Sequence, residues 1–127
     1  LLHDARKPSA EFVSYPLLEN VFYGDYDAAI AAFRPLSTEE IFSPQSPLII
    51  GTPAENWQEE LSSWLVRVTD GALKVDKERA GAYFLRGWAR WLKKPESADA
   101  LSDFQRAAEL APDDELYRNV LAYVTNR

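Results

Sequence analysis

Apolar residues recur along most of this chain at steps of three and four, the spacing that collects side chains on one side of an α-helix. Leu17, Leu18, Val21 and Phe22 form the first such stripe, in a helix beginning near Ser14. Pro16 suits a first helical turn, where its missing N–H has no partner to lose. Gly24-Asp25 breaks the pattern, and Ala28, Ala29, Ile30, Ala32 and Phe33 form a second stripe running from Tyr26 to Phe33. Pro35 ends it, because the residue before a proline is steered out of the helical region. Residues 14–36 thus predict a helical hairpin about a tight turn.

The stretch 37–52 is irregular. Ser37 and Glu40 have the spacing of a capping box and predict a brief helix over Thr38–Phe42. Pro44 and Pro47 then forbid regular helix, and Leu48–Ile50 reads as a short extended segment packing on the helices. Thr52-Pro53-Ala54-Glu55 is a helix start. The apolar positions that follow, from Trp57 through Leu61, Trp64, Leu65 and Val68 to Leu73, predict one long helix to about Val75. Further helices are expected over Ala80–Lys93, Ala98–Leu110 and Glu115–Thr125, separated by polar or proline-bearing turns. With residues 1–13 as a loose lead-in, the expectation is one all-α domain. Its antiparallel helical hairpins are stacked in series under a C-terminal capping helix.

Serial hairpins raise the question of a repeat. Ala29-Ile30 with Phe33 recurs as Ala100-Leu101 with Phe104, 71 positions on, and Leu65-Val66 with Thr69 lies midway at an offset of 36. Hairpins of that period bury their apolar faces only by stacking on neighbours. Between Ala80 and Asp114 the sequence AGAYFLRGWARWLKKPESADALSDFQRAAELAPDD resembles a full tetratricopeptide repeat. It is similar to the bacterial subtype whose first helix reads Ala-Tyr-x-x-Arg-Gly-x-Ala. Tyr83, Gly87 and Ala89 stand at that motif's first-helix positions, Ala100, Phe104 and Ala107 at its second-helix positions, and Pro112 at its terminating proline. Small residues here let backbones approach, and Tyr83 and Phe104 fill the remaining space. The turn departs from the family by one extra residue and by Lys94-Pro95 where Gly is usual. Arg90 replaces a usual aromatic, and the two upstream units are degenerate.

The resemblance implies that the first helix of a unit lines a concave binding surface. On this chain that surface carries Phe84, Trp88 and Trp91, with Leu92 and Arg90 beside them, and aromatic anchors in a groove are typical interface hot spots. The alternative is that the Thr52–Val75 helix or the Leu48–Ile50 segment covers them as core. Arg86, Arg90, Lys93 and Lys94 add a positive stripe. It reads either as a clamp for an acidic tail or carboxylate or as cations paired with acids such as Asp103 and Glu96. Family members that bind chaperone tails use Lys and Asn in the groove, where Phe84 and Trp88 stand here.

Composition narrows the chemistry. The 127 residues are 46% apolar, with four Trp, six Tyr and six Phe, enough for a real core and against disorder. A net charge of −6 opposes nucleic-acid binding. Cys is absent, which removes disulfides, thiolate chemistry and Cys-based zinc sites. His3 is the sole His, which argues against a His-based catalytic triad or a multi-His metal site. The acidic pairs Glu39-Glu40 and Glu59-Glu60 and the run Asp113-Asp114-Glu115 read as helix-start and solvated carboxylates rather than as an acid–base pair. The scattered glycines build no phosphate loop. No cofactor or metal is expected, and no apolar run reaches the ~18–20 residues that cross a bilayer. Because Met is also absent, Leu1 is expected to follow a processing or excision point. The compartment stays open between the cytoplasm and the extracytoplasmic part of an anchored protein.

Three readings follow: a non-catalytic scaffold binding a protein or peptide on the first-helix face; a structural or self-association domain, homo-oligomeric or not, within a larger protein; and, least supported, an all-α enzyme. Fold resemblance alone does not choose among them.

Overall fold

A computed structural model of the chain describes residues 15–43 and 57–126. These form seven helices: α1 (Tyr15–Phe22), α2 (Tyr26–Ile30), α3 (Thr38–Phe42), α4 (Trp57–Val75), α5 (Ala80–Lys93), α6 (Ala98–Leu110) and α7 (Glu115–Thr125). Among the described residues there is no strand, and the protein is all-α. The lead-in with His3, the Leu48–Ile50 segment and the Thr52–Glu55 helix start lie outside the described residues.

Four helices begin on caps that the sequence supplies. Asp25 accepts from the Ala28 N–H at 3.1 Å, Ser97 from Ala100 at 3.0 Å and Asp114 from Leu116 at 3.0 Å. At α3 the capping box is complete. Ser37 Oγ accepts from the Glu40 N–H at 3.2 Å, and the Glu40 carboxylate accepts from the Ser37 N–H at 2.9 Å. Each cap satisfies an amide the helix leaves unpaired and contributes about 1 kcal/mol. Gly24, at φ +80°, makes the left-handed bend between α1 and α2.

One helix is shorter than expected. Instead of running to Phe33, α2 ends at Ile30, and the next residues tighten. The Ala32 N–H donates to Ala29 O at 3.2 Å and the Phe33 N–H to Ile30 O at 2.8 Å, both three residues back. Pro35 explains this, since it has no N–H to donate to the carbonyl of Ala31 and it disfavours helical geometry at Arg34.

From α4 onward the architecture is regular. Each helix packs on the next, and the turns 76–79, 94–97 and 111–114 all have four residues. The α5–α6 contact is close because Gly87 has no side chain. A Cβ there would lie 2.9 Å from Cε1 of Phe104 and 3.2 Å from the carbonyl of Ala100. Ala89, Ala100, Phe104 and Ala107 are all buried, whereas Tyr83 is half-buried and Pro112 exposed at the turn. The N-terminal part does not continue the row. It folds back, so that α2 meets α5 and α3 meets α7.

Candidate functional site

Helix α5 presents two opposed surfaces. Phe84, Trp88 and Trp91 follow one another at steps of four and three. Arg86, Arg90 and Lys93 do the same, displaced by two positions. Two positions rotate a side chain by about 200° around a helix, so the aromatic and cationic stripes face opposite ways.

The aromatic surface is closed. Phe84 is 0% and Trp88 1% exposed, and Trp91 is also buried. The expectation that these residues line an open first-helix groove is therefore corrected; among the described residues, Phe33, Ile41 and Phe42 lie against them. Phe33 meets both Phe84 and Trp88 edge-on, with centroids 5.1 Å apart in each case. The indole N–H of Trp88 donates to the Ile41 carbonyl at 3.1 Å. Phe42 packs on Trp91 at 4.9 Å and stacks on Tyr123 of α7 at 5.4 Å. Phe104 and Tyr117 complete the ring cluster around Phe84. Only Leu92 and Arg90 among the predicted contact residues keep partial exposure, and Arg90 belongs to the other surface.

Polar contacts fix the covering segment at its margins. Both terminal nitrogens of Arg34 donate to Asp114, at 2.9 Å each. Arg79 donates to the Gly24 carbonyl at 2.8 Å and sits over the ring of Tyr26. The Arg34 guanidinium holds the Asp114 carboxyl below its ordinary pKa, helped by the amides of Tyr117 and Leu116. Burial pushes the Tyr117 phenol up to about 12.

The cationic surface is organised around a buried acid. Asp103 accepts from Arg86 at 3.1 and 2.8 Å and from Arg90 at 2.7 Å, and a further Arg86 nitrogen donates to Asp70 of α4 at 2.8 Å. Hydrogen bonding to Asp103 raises the Arg86 pKa above its already high value, outweighing burial. Pairing with Asp103 thus accounts for half of the positive stripe. Lys93 and Lys94 are exposed, and neither takes part in an ion pair of the described residues.

Beyond this network α4, α5 and the start of α6 enclose an open cleft of about 570 Å³. Val66, Arg67 and Asp70 of α4 face Arg90, Lys93 and Lys94 across it. Ser97 and Asp99 close the α6 end. Reading α4 only for its apolar stripe misses this cleft. The signal for it is the run of small or polar residues at Ser62, Val66, Thr69 and Asp70, on a side of α4 that is partly buried. Ser62 and Thr69 are fully buried, and Thr69 turns its hydroxyl back onto the Leu65 carbonyl at 2.7 Å.

Among the described residues no three acidic or His side chains converge as a metal site, and no helix is long and apolar enough to cross a membrane. Compared with protein-family models, with curated proteins and with solved structures, the chain finds no match in any of the three.

Proposed function

We propose that the chain is a non-catalytic protein-interaction scaffold of tetratricopeptide-repeat type, a short α-solenoid of stacked hairpins. The observation that carries this reading is the way α5 and α7 hold residues 26–42. An apolar helical segment lies in an aromatic groove, anchored by Phe33 and Phe42 and by one backbone carbonyl bonded to Trp88. Helix-binding grooves hold their partners in this manner. Here the occupant is supplied in cis, so an external protein is met on the outer faces of α4, α6 and α7. The repeat-like turns and the Gly87–Phe104 seam support the family reading.

The same burial favours a second reading. If residues 26–42 never leave, the module is structural, or it associates only with itself. Site-specific photo-crosslinkers at exposed Ser63, Gln105 and Arg118, in the native host, separate the two. Reproducible adducts with one different protein support the scaffold. Adducts only at twice the chain's own mass, or none at all, support the structural module and remove the scaffold reading.

A further inference from the structure

The molecule carries a net charge of −6, yet four of its fourteen basic residues surround one cleft. Arg67 comes from α4, and Arg90, Lys93 and Lys94 come from the last turn of α5 and its C-cap. Arg90 spends one terminal nitrogen on Asp103, and the two lysines have no carboxylate partner among the described residues. A second cleft, of about 550 Å³ beside α3 and α7, differs in this respect. Among the described residues Arg34 is the one basic residue lining it, and both terminal nitrogens of Arg34 bind Asp114.

We infer that the α4–α5–α6 cleft is a docking site for an acidic peptide segment of a partner protein. Carboxylate side chains of that segment would meet Lys93, Lys94 and Arg90. The inference rests on the scaffold reading and specifies the chemistry of its partner.

The lining selects a peptide over a bare anion. Asp70 and Asp99 stand among the cations and disfavour a compact, multiply charged phosphate more than a peptide, whose single carboxylates can be spaced to avoid them. The same two carboxylates, with the hydroxyl of Ser63, can accept main-chain N–H groups, which a peptide has and a phosphate lacks. Val66 and the methylene stems of the lysines and arginines supply apolar wall for the segment between its charges. Charge complementarity of this kind steers encounter and fixes register, and it weakens with salt.

The test is fluorescence anisotropy of a labelled, glutamate-rich short peptide against the intact chain. Controls are the glutamine version of the peptide, inorganic phosphate as competitor, and light-scattering mass. The variants are Lys93→Glu/Lys94→Glu and, with the same change in net charge away from the cleft, Lys74→Glu/Lys77→Glu. The expected result is saturable, salt-sensitive binding of the glutamate peptide alone. It weakens about tenfold or more in the Lys93/Lys94 variant and at most about twofold in the Lys74/Lys77 variant.

Four results overturn the proposal: no binding to the intact chain; equal loss in both variants, which marks general electrostatics; competition by millimolar phosphate as strong as by unlabelled peptide; or a dimer abolished by Lys93→Glu/Lys94→Glu, which makes a second copy the occupant. Failure of the scaffold reading is seen separately, in the crosslinking. A foreign adduct without peptide binding leaves the scaffold standing and removes only the acidic-peptide site. Peptide binding without a foreign adduct does the reverse.

Discussion

Trp88 and Ile41 lie forty-seven positions apart in the chain, and the indole N–H of one donates to the main-chain carbonyl of the other at 3.1 Å. This bond joins α3 to the α4–α7 half of the molecule at a point where water is excluded, since Trp88 is 1% and Ile41 1% exposed. A buried carbonyl that loses its donor keeps its desolvation cost. Trp88→Phe therefore removes the bond and leaves part of the indole's space unfilled. It should lower stability by about 2–4 kcal/mol, read as a shift of the urea midpoint with the slope unchanged. Lys93→Ala, on the exposed side of the same helix, should stay within about 0.5 kcal/mol of wild type. Equal effects at the two positions would mean that Trp88 is not core.

Asp114 holds two partners at once: it accepts from the Leu116 amide as the cap of α7 and receives both terminal nitrogens of Arg34. Arg34 is about half exposed, so the ion pair itself is screened and contributes about 0.2–1 kcal/mol. The cap adds about 1 kcal/mol. Asp114→Ala should accordingly cost more than Arg34→Ala. The folded-state pKa of Asp114 lies below its ordinary value of 3.8. Its contribution is thus complete above that value and disappears as pH falls through the depressed folded one. Denaturant titrations at descending pH should show the wild-type advantage over Asp114→Asn shrinking below about pH 4. An advantage that stays constant to lower pH would remove the carboxylate from the account.

Much of the helical architecture is legible in the sequence because its signals are local. Ser37-x-x-Glu40 and Asp114 write two helix starts directly, and α5, α6 and α7 have the bounds that the apolar spacing predicts. The end of α2 is written less locally, because Pro35 acts on hydrogen bonds several residues upstream. What the spacing cannot give is which distant segment covers a stripe. Phe84 and Trp88 read equally well as groove or core until Phe33 and Ile41 are known to arrive from residues 26–42. The cationic stripe was half legible. Asp103 lies on the helix next in sequence, whereas Asp70 becomes a partner only when α4 packs beside α5. Glu96 is a further case. It takes φ +65° in the turn where the resembled family has Gly, a strain invisible until the backbone path is known.

Tyr117 gives the protein an alkaline limit. Burial is the main reason its phenol is pushed up to about 12 from 10.0, with the charge of Asp114 adding to it. Between these values an unfolded chain loses the proton and the folded one keeps it, so deprotonation draws the equilibrium toward unfolding. The stabilisation is complete below about pH 10 and is lost as pH rises toward 12. Tyr117→Phe should be less sensitive to pH across this window in stability measurements at fixed urea. Tyr26, raised for the same reason of burial, remains in the variant and leaves a residual slope. A variant as steep as wild type would show that another group governs the alkaline transition.

Two glycines within helices make opposite demands, and their alanine variants test the close α5–α6 seam without touching a charge. Gly71 sits in α4 with nothing within 4 Å of where a Cβ would stand. Alanine there loses less backbone freedom on folding and should raise stability by about 0.5–1 kcal/mol. Gly87 gains the same helical preference, but its Cβ would meet Phe104 Cε1 at 2.9 Å, Cδ1 at 3.0 Å and the Ala100 carbonyl at 3.2 Å. Phe104 is 1% exposed and ringed by Phe84 and Phe42, so it has no free space into which to turn. The carbonyl belongs to helix backbone and moves only with α6. Overpacking of this kind costs about 1–3 kcal/mol, which exceeds the helical gain, so Gly87→Ala should melt lower than wild type while Gly71→Ala melts higher. A Gly87→Ala variant as stable as Gly71→Ala would mean that α5 and α6 do not approach this closely, and the seam that supports the repeat reading would go with it.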